Sequence, residues 1–389
     1  MDELIDRVLE RGVDSGAVPG VSAHVVGSDG PLYEGAAGVR TVGSDAAMTP
    51  DTVCSIHSMT KAITGVAAMQ LVERGALDLD ATASSVCDEM GPATVLVGFG
   101  PDGEPVLRRA TTEPTLRQLL THTSGYGYDI WDRNLDRWYT ATDTPRLGTR
   151  RLAALDTPLM FDPGTRWQYG IGIDWVGRMI ERISGATLGA YFEEHVTGPL
   201  GMADTRFTPT PSMNERRASV HARQADGSLI PIHTVTPEQR DFEAGGGDLL
   251  GTGADYARFV RMILNDGELD GMRVLEAETV GTMARNHIGD LRVTRLVPSS
   301  NRLSNEAEFF PGEPKSWGLT FQVNETAAPT GRSEGTLMWA GLANSFFWID
   351  RSHGIGGVFM SQILPFADRP ALDLFYEVER SAYSVGGHR

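Results

Sequence analysis

The chain of 389 residues has 41% hydrophobic and 22% charged residues, which is the balance of an ordinary globular protein. Its length predicts two domains or one large domain with an insertion. The net charge of −17 argues against nucleic acid and anionic membrane surfaces as partners.

The first residues read as an amphipathic helix without the basic and apolar segments of a secretory signal, and no apolar run reaches transmembrane length. Cys54 and Cys87 are interpreted as buried thiols of a reducing compartment. We therefore expect a cytoplasmic protein with no membrane partner. The histidines lack metal-ligand spacing, and Gly245-Gly246-Gly247 is not followed by Lys-Ser/Thr, so neither a metal nor another cofactor is predicted.

Apolar periodicity and turn residues predict the elements in chain order. Helices are predicted over residues 2–17, from the segment around Ser58 to Gly75, over 115–122, as a pair within 171–196 broken at Ser184-Gly185, and over 252–264 and 370–384. Strands are predicted over residues 21–27, 32–39, 95–100, 106–108, 317–323, 336–340, 345–350 and 355–360. Strands at both ends predict an α+β fold. Residues 1–80 and 241–389 would form an antiparallel sheet flanked by helices, and residues 81–240 an inserted helical domain.

The helix around Ser58 carries the residues on which the functional argument rests. Ser58 and Lys61 are three residues apart, so on a helix they share a face and can touch. A serine hydroxyl needs a base beside it to act as a nucleophile, and a lysine, unlike an arginine, can give up its proton. Of 34 basic residues only Lys61 and Lys315 are lysines. The alternative is a structural lysine whose stem lies in the core and whose ammonium reaches solvent.

A second serine pattern competes with this one. Gly331-Arg332-Ser333-Glu334-Gly335 matches the Gly-x-Ser-x-Gly turn of α/β-hydrolases, and Asp350 and His353 follow in the order of a catalytic triad. That turn joins a strand to a helix, whereas here the next segment reads as a strand. We therefore interpret the pentapeptide as a β-turn, with the triad as the alternative.

Several segments resemble a known family. Ser58-Met59-Thr60-Lys61 resembles the Ser-x-x-Lys of serine β-lactamases and penicillin-binding proteins. Further segments are similar to the class C β-lactamase-like branch, in the same order over nearly the whole chain: Leu119–Gly125, Phe161–Gly164 running into Tyr169, Pro199–Met202 and Asp266–Gly271. The resemblance implies a β-lactamase/penicillin-binding-protein-like fold.

The sequence departs from the class C pattern at two places. Tyr169-Gly170-Ile171 lacks the asparagine of Tyr-x-Asn, and Trp339-Ala340-Gly341 stands where that pattern has Lys-Thr-Gly. Trp-Ala cannot supply the charge that recognises the carboxylate of a β-lactam or peptide, and Lys315-Ser316-Trp317 lies one strand too early to replace it. Trp-x-Gly at this place is similar to the family VIII carboxylesterases, as are the hairpin ending at Arg108 and Tyr126-Gly127-Tyr128.

The resemblance implies a serine carboxylesterase that hydrolyses short-chain acyl esters through a covalent acyl-serine, with a small-molecule ester as its partner. Ser58 would be the nucleophile. Lys61 and Tyr169 would share the role of base, with Lys61 holding charge and Tyr169 shuttling the proton. The backbone N–H groups of Ser58 and Leu342 would form the oxyanion hole. The expected substrate-pocket residues are Trp339, Gly341, Tyr126, Tyr128 and Trp131.

Alternatives stay open beside this interpretation. A β-lactamase or D-alanyl-D-alanine peptidase is disfavoured by the missing Lys-Thr-Gly. An acyltransferase of the same fold would differ only in the acceptor that removes the acyl group from Ser58. A non-catalytic binding protein would keep the fold, but the intact Ser58, Lys61 and Tyr169 argue against it. The aromatic cluster of Tyr126, Tyr128, Trp131, Trp138 and Tyr139 is equally compatible with a loop that packs on the helical domain. His57 and His122 are interpreted as structural.

Overall fold

The computed structural model describes residues 1–233, 237 and 239–386. Its α-helices are α1 Asp2–Asp14, α2 Thr60–Glu73, α3 Leu116–Leu120, α4 Arg133–Thr142, α5 Gly172–Ser184, α6 Leu188–Phe192, α7 Pro211–Glu215, α8 Gly253–Leu264, α9 Ala277–Met283 and α10 Arg369–Gly386. Its strands are β1 Gly20–Gly27, β2 Pro31–Gly38, β3 Cys54–Ser55, β4 Thr94–Phe99, β5 Pro105–Arg109, β6 Val220–Arg223, β7 Leu229–Ile232, β8 Leu250–Gly251, β9 Glu268–Leu269, β10 Met272–Arg273, β11 Lys315–Trp317, β12 Gln322–Asn324, β13 Leu337–Gly341, β14 Ser345–Asp350, β15 Ile355–Met360 and β16 Ile363–Leu364.

A seven-stranded antiparallel sheet forms the centre of the fold, in the order β11-β12-β13-β14-β15-β1-β2. It joins strands from the N-terminal and C-terminal parts of the chain, since β1 pairs with β15 and places His24 opposite Val358. The predicted α+β fold with an antiparallel sheet is therefore confirmed. Within the described residues, no helix is long and apolar enough to span a membrane.

Two adjacent residues of β14 show how the sheet is covered. Phe346 stacks on Phe375 of α10, with ring centroids 4.6 Å apart, whereas Phe347 packs against Tyr256 of α8 at 5.1 Å. Because successive side chains of a strand point to opposite faces, α10 and α8 cover opposite faces of the sheet. The sheet is thus buried between two helical layers.

Helix α2 is buried along most of its length, since all residues from Thr60 to Leu71 are buried. A helix that is apolar on all sides is typical of a core element. It packs against α5, and the 3-10 turn before it, His57–Met59, contacts β13. This packing places the start of α2 beside the end of a central strand.

The predicted strand over residues 317–323 is wrong in one respect. The structure contains two short strands, β11 and β12, joined by a turn in which the Gly318 N–H bonds the Phe321 carbonyl at 2.8 Å. A Cβ at Gly318 would lie 2.2 Å from the Met283 carbonyl oxygen, so the chain turns where only glycine fits. The apolar alternation continues through this turn, which is why the pattern alone does not reveal it.

The segment 81–240 contains helices α3–α7 and the hairpin β4–β5. The predicted helix break is confirmed, because α5 ends at Ser184 and Gly185 has a positive φ of 71°. The end of this segment also contacts the C-terminal part of the chain, since β6 pairs in parallel with β16. The division into 1–80 with 241–389 and 81–240 stays a prediction.

Candidate active site

Ser58 and Lys61 lie in hydrogen-bond contact, as their spacing predicts. Ser58 is in the 3-10 turn directly before α2, and Lys61 is in the first turn of that helix. Lys61 Nζ donates a hydrogen bond to Ser58 Oγ at 3.1 Å. The preceding His57 has a φ of 44°, in the left-handed region. Such backbone costs a non-glycine residue on the order of 1–3 kcal/mol and recurs at functional sites.

The ammonium of Lys61 is enclosed by protein. The residue is 1% exposed, and Nζ also donates to the Gly246 carbonyl. The nitrogen lies 5.2 Å from the ring centroid of Tyr128 and 4.9 Å from that of Tyr169. Aromatic faces attract a cation, most strongly where water is excluded. A structural lysine whose head reaches solvent is therefore excluded.

A buried carboxylate near Lys61 was missed by the sequence analysis. Asp174 of α5 accepts the Gly246 N–H at 2.9 Å through Oδ1, while Oδ2 has no hydrogen-bond partner among the described residues. Burial raises the pKa of Asp174, and the charge of Lys61 opposes that rise. A Cβ at Gly246 would lie 2.5 Å from Oδ2, so a larger residue there would displace the Asp174 carboxylate. Gly246 thus connects Asp174 to Lys61 through its own N–H and carbonyl groups.

Tyr169 lies between Lys61 and β13. It is 2% exposed, and its Oη accepts a hydrogen bond from Trp339 Nε1 at 3.0 Å. A Cβ at Gly170 would lie 2.0 Å from the Tyr126 carbonyl oxygen, so the glycine after Tyr169 allows this close packing. The tyrosine ring is therefore held by contacts on several sides.

Two histidines lie near these residues and stay uncharged. Burial lowers the pKa of His57 to about 4 and holds the pKa of His122 well below its usual value. His122 packs edge-on against Tyr169, with ring centroids 4.6 Å apart, and its carbonyl accepts the Gln168 N–H at 2.9 Å. These contacts fit the structural role expected for His122.

Ser58 opens onto two connected spaces. A narrow crevice is lined by Ser58, Trp131, Tyr169, Trp339, Ala340, Leu342 and Phe366. A cavity of about 400 Å³ is lined by Ser58 together with Tyr128, Trp131, Leu147, Asp174, Leu303 and Leu342, among others. The structure thus brings the predicted nucleophile, the tyrosine and both predicted oxyanion residues to one place.

The predicted pocket residues divide into two groups. Tyr128, Trp131 and Trp339 line the spaces beside Ser58. Tyr126 and Gly341 line neither space. The Tyr126 ring lies against Trp175, with centroids 6.4 Å apart. A Cβ at Gly341 would lie 2.5 Å from the Ile56 carbonyl oxygen, so this glycine allows β13 to pack against the turn that carries Ser58.

The second serine pattern also assembles in space. Ser333 Oγ lies 2.6 Å from His353 Nδ1, and Asp350 Oδ2 lies 3.0 Å from the same nitrogen. A catalytic histidine uses one ring nitrogen toward the serine and the other toward the carboxylate. Here Nδ1 faces both partners, and no strand-to-helix turn carries Ser333, which precedes β13. The geometry is that of a hydrogen-bonded surface turn.

Lys315 does not take the place of the lysine in the missing Lys-Thr-Gly motif. Its Nζ donates to the carbonyls of Phe310 at 3.1 Å and Glu313 at 2.6 Å, and it lies 3.6 Å from Glu308. These partners occupy the ammonium on β11, at the sheet edge.

Comparisons with known proteins agree with this geometry. The model of the Beta-lactamase family matches residues 5–379. A lovastatin esterase of Penicillium rubens is 31% identical over 91% of this chain and 91% of its own length. A monacolin J acid methylbutanoyltransferase of Aspergillus terreus is 29% identical over 98% of this chain and 95% of its own length.

Solved structures share the whole architecture. A mutant of simvastatin synthase from Aspergillus terreus superposes with a TM-score of 0.86 at 27% identity, covering 100% of this chain and 98% of that chain. The hydrolase EstCE1, described as having promiscuous acyltransferase activity, superposes with a TM-score of 0.77 at 22% identity over 98% of both chains, which shows the fold alone. The predicted β-lactamase/penicillin-binding-protein-like fold is confirmed, and the chain belongs to the Beta-lactamase family, as an enzyme of its serine hydrolase and acyltransferase group.

Proposed function

We propose that this chain forms an acyl ester on Ser58 and passes the acyl group to an alcohol, with water as a competing acceptor. The observation that carries the proposal is the 3.1 Å contact between Lys61 Nζ and Ser58 Oγ beside a cavity of about 400 Å³. A space of this size is in the range of small-molecule sites and has room for an acceptor alcohol beside the acyl group.

The residues around Ser58 support definite roles. Ser58 Oγ would attack the ester carbonyl while its proton passes to the Lys61–Tyr169 pair. The N–H groups of Ser58 and Leu342 would stabilise the oxyanion, and collapse of the intermediate would release the alcohol with a proton from Tyr169. The acceptor hydroxyl would then lose its proton to Tyr169 as it attacks the acyl-serine carbonyl. Collapse of this second intermediate would break the bond between the acyl carbon and Ser58 Oγ, and Tyr169 would return the proton to Ser58 Oγ. The Trp339 N–H would stabilise negative charge that develops on Tyr169 Oη.

The relatives support the choice of acceptor. The sequence alone favours hydrolysis of short-chain esters, with acyl transfer as an alternative. The relatives include a named esterase and a named methylbutanoyltransferase at similar identity, which supports the alternative. Hydrolysis of short-chain esters is then the reaction with water as acceptor. A role as a β-lactamase or peptidase gains no support, because Trp339-Ala340 offers no cation for a carboxylate.

The proposal is tested by supplying one acyl donor to two acceptors. Purified protein is incubated with p-nitrophenyl butyrate, alone and with increasing 1-hexanol, while p-nitrophenol release and hexyl butyrate are measured. We expect hexyl butyrate to form at the expense of butyrate, with Ser58→Ala inactive and Ser333→Ala active in both reactions. Release of p-nitrophenol with no transfer product at any alcohol concentration would restrict the function to hydrolysis, and loss of activity in Ser333→Ala alone would reverse the assignment of the nucleophile.

A further inference from the structure

A second cavity of about 430 Å³ adjoins the one beside Ser58. The two share His57, Gly148, Arg150 and Gly247 as lining residues. A ligand that occupies the first cavity can therefore extend into the second without leaving the protein surface. The second cavity is distinguished by its charges, since the described residues that line it include three arginines, Arg150, Arg217 and Arg240, and one carboxylate, Asp248.

Two of these arginines are already neutralised. Arg150 makes a two-pronged ion pair with Asp248, in which both side chains are largely buried. Arg240 pairs with Glu243 at 3.2 Å and also donates to Thr208 Oγ1 at 2.7 Å. Neither guanidinium is therefore available to a ligand without breaking a contact inside the protein.

Arg217 differs from both. No carboxylate of the described residues lies in ion-pair range of the Arg217 guanidinium. Its side-chain hydrogen bond among those residues is a long one, donated to Ser55 Oγ at 3.4 Å. The residue is half-buried, and burial lowers the pKa of its guanidinium. Among the described residues this half-buried guanidinium therefore has no counter-charge, and it is available to an anionic ligand in the cavity. Its position is notable in a chain whose net charge is −17.

The backbone holds Arg217 beside the strand that leads to Ser58. The Val53 N–H bonds the Arg216 carbonyl at 3.0 Å, and the Ala218 N–H bonds the Val53 carbonyl at 2.9 Å. Arg217 is thus fixed on both sides, and its partner Ser55 is only three residues before the nucleophile. A guanidinium on a fixed backbone near a reacting serine suits recognition of one end of a substrate.

We propose that Arg217 binds a carboxylate carried by the ester substrate, so that the substrate spans both cavities with its ester carbonyl at Ser58. The planar guanidinium matches a carboxylate through two parallel N–H donors. Asp248 lines the same cavity and disfavours a doubly charged phosphate, which favours a singly charged carboxylate. This inference rests on the proposed acyl transfer from Ser58, and it assigns the charge of the substrate.

The test compares esters that differ only in charge. On the acyl side, the mono-p-nitrophenyl ester of suberic acid is compared with p-nitrophenyl octanoate; on the alcohol side, 3-(4-acetoxyphenyl)propanoate is compared with its amide. In the pair whose carboxylate reaches Arg217, on either the acyl or the alcohol side, we expect Arg217→Ala to lower kcat/KM of the anionic ester. The expected loss is about 10- to 100-fold, mainly through KM. The neutral ester should change less than threefold. Arg217→Lys, which keeps the charge, should recover part of the loss.

The exposed Arg292→Ala is the matched control, because it removes one positive charge outside both cavities. An equal effect of Arg217→Ala on the charged and neutral members of both pairs would overturn the inference, and so would an equal loss in Arg292→Ala. The neutral esters report separately on the proposed function. If wild-type protein turns over none of the four esters, the acyl-transfer proposal fails; if it turns over the neutral esters but Arg217→Ala leaves the anionic esters unaffected, only the carboxylate assignment fails.

Discussion

Two regions of this protein each place a serine hydroxyl within hydrogen-bond distance of a possible base. Ser58 lies 3.1 Å from Lys61, and Ser333 lies 2.6 Å from His353. The Ser333 region even includes a carboxylate, Asp350, in the sequence order of a triad. Proximity of a base is therefore not what separates a reactive serine from a structural one.

The surroundings separate the two regions. Lys61 is buried beneath aromatic rings, and Ser58 faces a cavity with the end of β13 beside it. His353 is more than half exposed, with 56% of its side chain accessible. The buried Asp350 accepts hydrogen bonds from the Ser333 and His353 N–H groups, which fix the turn. A reactive site requires a base shielded from water and a space for substrate, and the Ser58 region has both.

Removing each serine hydroxyl in turn tests which of the two regions is reactive, and it should give the largest difference. We expect Ser58→Ala to reduce kcat/KM for an activated ester on the order of 10³-fold or more, because the covalent intermediate cannot form. Ser333→Ala should stay within about twofold of wild type. A fluorophosphonate probe followed by peptide mass spectrometry gives an independent readout, with the adduct expected on Ser58. An adduct on Ser333 would reverse the comparison.

The next test asks whether Lys61 moves a proton or only supplies charge. We expect Lys61→Arg to lose most of the ~10²–10⁴-fold that acid–base catalysis contributes, nearly as much as Lys61→Ala, because arginine keeps its proton. The measurement is kcat/KM on one activated ester, after circular dichroism shows each variant folded. Lys315→Arg, at the other lysine, is the control and should retain activity. A Lys61→Arg enzyme within about tenfold of wild type would leave Tyr169 as the sole base, since that loss is ~1.4 kcal/mol.

The sequence predicted the parts of this molecule that depend on local spacing. Ser58 and Lys61 are three residues apart, so their contact follows from helix geometry. The predicted strands of the central sheet followed from alternation, with one error at the turn near Gly318. Tyr169 and Trp339 are 170 residues apart, and their contact was accessible only through the resemblance that placed both near Ser58.

The remaining parts depend on packing that no local pattern encodes. Asp174 and Gly246 are 72 residues apart, and neither stood out, because a glycine triplet usually marks a turn. The order of Ser333, Asp350 and His353 fits a triad, and only the coordinates show that both partners face the same ring nitrogen. Arg217 is one of 32 arginines, and only the structure shows that it lines a cavity beside Ser58 with no carboxylate of the described residues in ion-pair range.

A third test removes the charge of Asp350, which accepts hydrogen bonds from the Ser333 turn. We expect this change to lower the free energy of unfolding without changing catalysis. Burial raises the pKa of Asp350, but hydrogen bonds from Ser333, His353 and Tyr383 outweigh it and hold the pKa below its usual value. A carboxyl whose folded pKa is lowered stabilises the protein above its unfolded pKa, and this stabilisation is lost as pH falls through the folded pKa. We expect Asp350→Asn to lower the free energy of unfolding by about 1–3 kcal/mol at pH 7, and by less in acid.

Urea unfolding at pH 7 and in acid, together with kcat/KM at pH 7, measures this prediction. The exposed Asp29→Asn is the matched control and should change neither quantity. Loss of activity in Asp350→Asn while the free energy of unfolding stays unchanged would give the Ser333 region a catalytic role.

The smallest expected effect concerns the one hydrogen bond that links β13 to Tyr169. Trp339→Phe keeps an aromatic side chain but removes the Nε1–H that Tyr169 Oη accepts at 3.0 Å. A single neutral hydrogen bond contributes about 0.5–1.5 kcal/mol, so we expect a two- to tenfold fall in kcat/KM, seen mainly in kcat.

Trp317→Phe is the matched control. Its ring lies 4.6 Å from that of Trp339 in the same aromatic cluster, and its Nε1 has no hydrogen-bond partner among the described residues. If the Trp339 N–H stabilises charge on Tyr169 Oη, kcat should fall in Trp339→Phe and stay unchanged in Trp317→Phe. Equal losses of kcat in both variants would show that Trp339 acts through packing alone.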